Sequence, residues 1–227
     1  MSFAVVIDAM AIPHDARVDQ RVPKRLLLEH GAPTAADKRQ IQDGVEEILW
    51  VAAFKPTNIG VQAFRDDVRE YLEIAVLTAT LRAAAKPTRI IELIHRAIPY
   101  PLVLIVACGD SVILSLAHKR WSQGEGGKVV IEDVRRTAPF RPDAPNAEEA
   151  LFLASIGLSS LPGLDLFALY QGWIDRLAGL EAAGITGAFA PPDSAKRASA
   201  LRDGLGTHTR LRRDIAVLRA QAAKENN

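Results

Sequence analysis

The sequence predicts an α+β fold, with a mixed β-sheet flanked by helices and followed by a helical C-terminal region. Within Tyr71–Leu81, the β-type residues Ile74, Val76, Thr78 and Thr80 share one parity, which is typical of a strand. Two apolar stretches, 102–107 and 111–117, enclose a short turn and indicate a hairpin. After Thr137 three helical stretches follow a proline-rich linker. We therefore expect a mixed α/β domain at 1–140 and a helical region at 141–227.

The N-terminal part is expected to be mostly irregular. Residues 2–11 are short and apolar, so they form either a helix or a strand that ends at Pro13. Residues 12–33 contain repeated Pro and Gly breakers and predict an irregular arm with one helical turn near Lys24–His30.

An amphipathic helix is predicted over 35–49. Thr34 with Asp37 three residues later resembles a capping box. Helical spacing then relates the apolar residues Ile41, Val45, Ile48 and Leu49. Residues 50–54 form either the last turn of this helix or a short strand.

The rest of the α/β part alternates strands with one helix. The isoleucine-rich helix is expected to end at Pro99, and it precedes the hairpin. The predicted elements are strand 59–64, strand 71–81, helix 88–98, strands 102–107 and 111–117, and strand 128–136.

Three helices are predicted at the C-terminus, near 146–157, 165–183 and 193–223. The last one is rich in arginine and carries one apolar stripe, which suggests the start of a coiled coil. We expect this stripe to bury against a second copy or a partner subunit. Its residues are Leu205, Leu211, Ile215, Leu218 and Ala222.

Composition limits the classes of function. The 227 residues carry a formal net charge of +1, which argues against a protein that coats nucleic acid by charge alone. One cysteine cannot form an internal disulfide and fits a reducing compartment. No basic region precedes the apolar N-terminus as in a signal peptide, and no apolar run is long enough for a membrane. We expect a soluble cytoplasmic protein.

Metal and cofactor motifs are not found in the sequence. The five histidines form no His-x-x-x-His pair, and one cysteine cannot form Cys-x-x-Cys. There is no phosphate-binding G-x-x-x-x-G-K-[ST] motif and no G-x-S-x-G nucleophile elbow. We therefore expect neither a bound metal nor a cofactor.

Two blocks rich in cationic, imidazole and aromatic side chains follow segments that are predicted to be buried. Such clusters at the rim of a sheet often bind ligands or partners. We expect these blocks to join the basic residues of the arm in one interaction surface, in which Lys119 and Arg120 contribute little to stability. The structural alternative is that His95 is a half-buried helix residue hydrogen-bonded to a carbonyl group, while Tyr100 and Trp121 cap the core. The candidate binding residues are Lys24, Arg25, His30, Lys38, Arg39, His95, Arg96, Tyr100, His118, Lys119, Arg120 and Trp121.

A nuclease is the enzymatic alternative. The predicted order of helix, strands, helix and strand resembles the core of restriction-endonuclease-like nucleases. Their sites need an acidic residue and a Glu-x-Lys motif to hold magnesium and polarise water. Asp66, Asp67 and Glu73 could supply carboxylates, but Ala75 stands where the lysine is required. We therefore expect at most an inactive relative of that fold.

Several longer blocks resemble one bacterial family, catalogued as domain of unknown function 4391. They include Val22–Gly31, Asp37–Arg39, Arg69–Ile74, Ile94–Pro101, Leu116–Arg120 and Leu169–Asp175. The resemblance covers nearly the whole chain. It implies genes beside helicases and DNA methyltransferases in restriction-like defence clusters, and a C-terminal coiled coil that is longer in most members. The family has no assigned catalytic residues, so none can be transferred.

These observations favour a non-catalytic accessory subunit of a bacterial DNA-processing or phage-defence assembly. Its expected partner is a helicase or DNA methyltransferase subunit, with DNA as an additional ligand and the last helix as an oligomerisation element. The alternatives are a nuclease, or a nuclease-derived DNA-binding domain, and a regulator that binds only protein.

Overall fold

The computed structural model describes residues 3–122, 129–191 and 195–225, with side chains of the last range described for 197–217. The predicted α+β class is confirmed. Eight helices and eight strands are found in these residues, together with two short 3-10 turns. The helices are α1 (Phe3–Ala9), α2 (Lys24–His30), α3 (Ala35–Gly44), α4 (Pro56–Ile59), α5 (Pro87–Ala97), α6 (Ala147–Ser155), α7 (Leu166–Thr186) and α8 (Ala195–Glu225). The strands are β1 (Arg17–Arg21), β2 (Val45–Phe54), β3 (Phe64–Arg65), β4 (Glu70–Tyr71), β5 (Ile74–Leu81), β6 (Leu102–Cys108), β7 (Ser111–Trp121) and β8 (Val129–Arg136).

A six-stranded mixed sheet forms the centre, in the order β1-β2-β5-β6-β7-β8. Only β5 and β6 are parallel, and α5 provides the crossover that a parallel pair requires. The other neighbours are antiparallel, and β3 pairs with β4 in a separate small hairpin.

Helices cover both faces of this sheet. On one face α2, α3 and α5 bury residues such as Leu27, Ile41 and Ile90 against the sheet. On the other face α1, α6 and α7 form a second core, in which Trp173 stacks on Phe54 with ring centroids 5.7 Å apart. Residues from both sides of position 140 contribute to this second core, so the two predicted ranges are packed on each other.

The prediction of a helix over 35–49 was wrong for its second half. Thr34 caps α3 by accepting a hydrogen bond from the Asp37 amide, as the capping pattern predicts. The helix ends at Gly44, however, and Val45 begins the ten-residue strand β2. Gly44 packs so closely that an added Cβ would lie 2.7 Å from the Ile90 Cδ1 atom.

Two further corrections concern short segments. The predicted strand 59–64 is replaced by α4, which starts with Pro56 and ends at Gly60 with a left-handed φ of 69°, and by the two-residue strand β3. The supposedly irregular arm contains the edge strand β1, of which only Val18 is not fully exposed. The helical turn predicted near Lys24–His30 is confirmed as α2.

The C-terminal helices lie close to their predicted positions. Helix α8 begins on α7, where Ala198 and Leu205 are buried, and then continues with Leu211 and Ile215 exposed. The predicted stripe residues Leu218 and Ala222 have side chains outside the described residues, as do residue 128 of the predicted last strand and residues 193–194 of the predicted last helix. No helix in the described part of the chain is long and apolar enough to cross a membrane.

Candidate binding groove

The predicted rim cluster lies on both faces of the sheet. Side chains alternate along β7, so His118 faces α7 while Lys119 faces the loop after α5. The ends of β7 and α5 do meet, as the sequence predicts. The contacts between them are made by the buried side chains of His95 and Lys119, so these two residues are not available to form a surface.

His95 is inside the protein, with 1% of its surface exposed. Its Nε2 atom lies 3.0 Å from the Ser115 hydroxyl, which donates to the Arg135 carbonyl oxygen. The Ser115 hydroxyl oxygen therefore accepts a hydrogen bond from the Nε2–H group, and Nδ1 is buried without a hydrogen-bond partner among the described residues. Burial, and then the charge of Lys119, lowers the pKa of His95 well below its usual value. His95 is thus structural, as the alternative expects, but it is fully buried instead of half-buried and bonds a hydroxyl instead of a carbonyl group. It cannot belong to an exposed surface.

Lys119 is also buried, with 5% of its surface exposed. Its ammonium group donates to the carbonyl oxygens of Ile98 and Tyr100, the latter at 2.5 Å. Burial lowers the pKa of this amine from 10.5 to about 7. The expectation that Lys119 is an exposed charge was therefore wrong, because β7 extends to Trp121 instead of ending near residue 117.

A groove of about 960 Å³ lies on the other side of the loop that Lys119 holds. It runs between β1, α2, the C-terminal end of α5 and the loop after it. Its floor is the side of the sheet that carries Trp50, Ala75 and Leu77. This volume is at the upper end of the range of ligand pockets, which is about 300–1,000 Å³.

The rim of the groove brings together three of the predicted binding residues, His30, Arg96 and Tyr100. Arg96 is exposed and has no ion pair among the described residues. Tyr100 is 46% exposed. On the other rim, Arg21 makes an ion pair with Glu47 at 3.2 Å. The groove therefore combines an apolar floor with a basic rim.

Close helix packing determines where this rim stands. Gly31, immediately after α2, lies against the Leu93 carbonyl oxygen, and an added Cβ would be only 2.8 Å from the Ala97 Cβ. Only a residue without a side chain allows α2 to approach α5 so closely. This contact places His30 beside the end of α5.

The other predicted binding residues lie elsewhere. Lys24 and Arg25 are on α2 near the groove but do not line it, and Trp121 is 40% exposed at the end of β7. Lys38 and Arg39 are exposed on α3. The neighbouring Asp37 binds Arg89 near the start of α5, at the end away from Arg96. The structure therefore does not bring Lys38 and Arg39 to the groove.

On the opposite face, His118 belongs to a chain of polar groups that the sequence did not reveal. The Tyr71 hydroxyl lies 2.5 Å from Nδ1, and Gln171 Oε1 lies 2.8 Å from Nε2. The Gln171 amide donates to Asp175, which also binds Arg202 of α8. Because Gln171 must accept from Nε2, Nδ1 accepts from Tyr71.

The hydroxyl of Tyr170 forms hydrogen bonds with backbone groups of two neighbouring strands, β6 and β7. Tyr170 Oη accepts from the Ala117 amide at 3.0 Å and donates to the Leu102 carbonyl oxygen at 2.8 Å. Burial is the main cause that raises the pKa of Tyr71 and Tyr170 and lowers the pKa of His118. These groups are therefore neutral near pH 7 and act as structural bridges between the sheet and α7.

Arg120 lies on the same face as His118, in a separate ion-pair group. Its guanidinium lies 3.4 Å from Glu132, which also receives Arg69 at 2.6 Å. Arg69 in turn lies over the Phe167 ring, 5.7 Å from its centroid. Arg120 is therefore occupied in a structural ion-pair group, away from the groove.

The carboxylates that the nuclease alternative would use do not form one site. Asp66 accepts from the amides of Val68 and Arg69 in a turn. Glu73 pairs with Lys55 at 3.2 Å, and Asp67 is exposed. Within the described ranges, no three His, Cys, Asp or Glu side chains come together in a way that could hold a metal ion.

Comparison with known proteins identifies a family. Neither the search of curated proteins nor the search of solved structures finds a match. One family model, described as a domain of unknown function, matches residues 10–227, in agreement with the blocks noted in the sequence. The chain therefore belongs to the family of domain of unknown function DUF4391.

Proposed function

We propose that this chain is a non-catalytic accessory subunit of a cytoplasmic bacterial DNA-processing or phage-defence assembly, and that its groove holds part of a helicase or DNA methyltransferase partner. The groove is the observation that carries this proposal. It combines a concave volume of about 960 Å³ and an apolar floor with Arg96 at its rim, which makes no ion pair within the part of the chain that the structure describes. Concave apolar surfaces with a few polar groups are the usual form of binding sites.

The test is purification of the tagged chain from its native host, after nuclease digestion to remove bridging DNA. Arg96→Glu reverses a charge at the groove, and Arg39→Glu makes the same change on α3, away from it. We expect a helicase or methyltransferase to be retained by the unmodified chain and by Arg39→Glu, and lost with Arg96→Glu. Retention of the same partner by Arg96→Glu would contradict the use of the groove.

Self-association or partner binding through α8 is a second part of the proposal. Leu211 is 56% exposed and Ile215 is 48% exposed, while the stripe residue Leu205 is buried on α7. A helix with an open apolar stripe gains stability by packing on another helix, as in a coiled coil. Leu211→Asp with Ile215→Asp should lower the mass of the host complex or of the isolated protein in light scattering. Thr209→Asp is the matched control, and an unchanged mass in the double variant would contradict this part.

DNA is a further candidate ligand, favoured by the exposed cations Arg25, Lys38 and Arg39 and the partly exposed Lys24 of α2 and α3. If they contact phosphates, affinity for duplex DNA should fall steeply with salt, since each neutralised phosphate releases a counterion. Lys38→Glu with Arg39→Glu should then weaken binding equally for all sequences. The nuclease alternative instead predicts magnesium-dependent cleavage that disappears with Glu73→Gln.

A further inference from the structure

We infer that the groove takes an acidic amphipathic segment of a protein chain, whose apolar side chains lie on Trp50 and Ile98 and whose carboxylates face the basic rim. The inference rests on the proposed function, because it names the chemistry of the partner segment at the same groove. It follows from three properties of the groove: its floor, its charge and its fixed walls.

The floor is apolar across two strands. Trp50 comes from β2, while Ala75 and Leu77 come from β5, and Ile98 and Val22 extend the apolar surface on either side. Leu26 and Tyr100 stand at the edges and are 37% and 46% exposed. Ala75 and Leu77 are only 1% and 2% exposed, so the apolar surface open to a partner is that of Trp50, Val22 and Ile98 together with these edges. Such exposed apolar surface is stabilised by contact with apolar side chains of a partner.

The charge of the surrounding surface is positive. Arg96, Lys24 and Arg25 have no ion pairs among the described residues, and the lining carboxylate Glu29 already faces His30 at 4.0 Å. Burial, and then the nearby cations Arg82 and Arg21, lower the pKa of Lys24. Glu46 and Asp43 act on Lys24 in the opposite direction, and neither Lys24 nor Arg25 lines the groove. A partner carboxylate at the rim would therefore meet Arg96 first.

An apolar floor distinguishes the occupant from nucleic acid. A phosphate backbone is recognised by cations and amides, and single-stranded bases need aromatic platforms on which to stack. The groove lining contains two such rings, the half-buried Trp50 and the exposed Tyr100, and most of the remaining lining is aliphatic. The accessible side chains of Val22, Leu26 and Ile98 instead match aliphatic side chains of a partner.

The walls are held in place before any partner binds. The Lys119 ammonium group donates hydrogen bonds to the carbonyl oxygens of Ile98 and Tyr100 in one wall. In the other wall, the lack of a side chain at Gly31 lets α2 pack directly on α5. A preformed groove lowers the ordering cost of binding to that of the incoming segment alone.

The experiment uses the full chain and three short synthetic peptides. The first alternates leucine with glutamate, the second replaces each glutamate with lysine, and the third replaces each leucine with serine. The indole N–H signal of Trp50 in NMR spectra reports occupancy of the floor, with Trp121 and Trp173 as internal references. We expect the first peptide alone to shift the Trp50 signal. Arg96→Glu should weaken binding of this peptide about fivefold or more, and Lys86→Glu, at the opposite end of α5, should not.

The outcomes separate this inference from the proposed function. Preference for the lysine or serine peptide, or no shift with any of them, would overturn the acidic amphipathic occupant. If the host complex still depended on Arg96 in that case, the proposed function would stand with a different occupant. A Trp50 shift caused by single-stranded DNA, and lost with Arg96→Glu, would replace the protein segment with nucleic acid.

Discussion

The ammonium group of Lys119 lies 2.5 Å from the carbonyl oxygen of Tyr100, so the end of β7 is tied to the loop that lines the groove. No carboxylate is bonded to this amine among the described residues. The positive charge is therefore held only by the dipoles of two carbonyl groups. This unusual environment makes Lys119 the residue whose substitution is most informative about how the groove is built.

The first prediction compares Lys119→Ala with Arg120→Ala. Lys119→Ala leaves the Ile98 and Tyr100 carbonyls without a donor, and we expect a loss of about 1–3 kcal/mol in the free energy of unfolding. Arg120 makes a partly exposed ion pair with Glu132, so its substitution should cost about 1 kcal/mol or less. Urea unfolding measures both values. Equal effects of the two substitutions would show that the bonds of Lys119 contribute little.

The second prediction concerns pH. The pKa of Lys119 is lowered from 10.5 to about 7 in the folded protein. Between these values the unfolded chain holds a proton that the folded chain does not, so raising the pH favours folding. We expect the stability of the unmodified protein, relative to Lys119→Met, to rise from pH 7 toward pH 10.5. A constant difference between the two proteins over this window would contradict the shift.

The third prediction tests the contact between α2 and α5. Gly31→Ala places a methyl group against the Leu93 carbonyl oxygen and Ala97, and the resulting strain should cost about 1–3 kcal/mol. Gly163→Ala is the control, because an added Cβ meets nothing within 4 Å there. Thermal unfolding followed by circular dichroism gives the comparison. If α2 can move away without cost, both variants will melt together.

The fourth prediction tests the hydroxyl of Tyr170. Tyr170→Phe leaves the Ala117 amide and the Leu102 carbonyl without this partner inside the protein, which should cost about 1–3 kcal/mol. Tyr100→Phe removes a hydroxyl from a residue that is 46% exposed and should have almost no effect. Amide hydrogen exchange at Ala117 should accelerate only in Tyr170→Phe, and unchanged protection would speak against the bridge.

The sequence predicted the parts of the fold whose pattern is local. Helix α5 and the hairpin of β6 and β7 were recognised because their apolar runs end at Pro99 and at a turn containing Gly109. A short strand was one of two predictions for residues 50–54, but the first half of β2 was missed. Two irregularities in its pairing, after Val45 and after Trp50, break the alternation of a strand. The remaining spacing of Ile48 and Leu49 then resembles a helix.

The candidate site was predicted only in part. His30, Arg96 and Tyr100 do line one groove, but nothing local shows that His95 and Lys119 are buried. Burial of Lys119 depends on the loop of Ile98 and Tyr100, which approaches from another element. The roles of Tyr71 and Tyr170 likewise depend on contacts across distant parts of the chain, so residue type alone could not reveal them.

The bridge made by Tyr170 has a consequence for the order of folding on the ribosome. Chains are synthesised from the N-terminus, so β6 and β7 emerge before α7, which supplies the hydroxyl for Ala117 and Leu102. Until then one face of the sheet, including Ile105 and Leu114, lacks its helical cover. The nascent sheet therefore stays open to chaperones or to misassociation until α7 has left the exit tunnel.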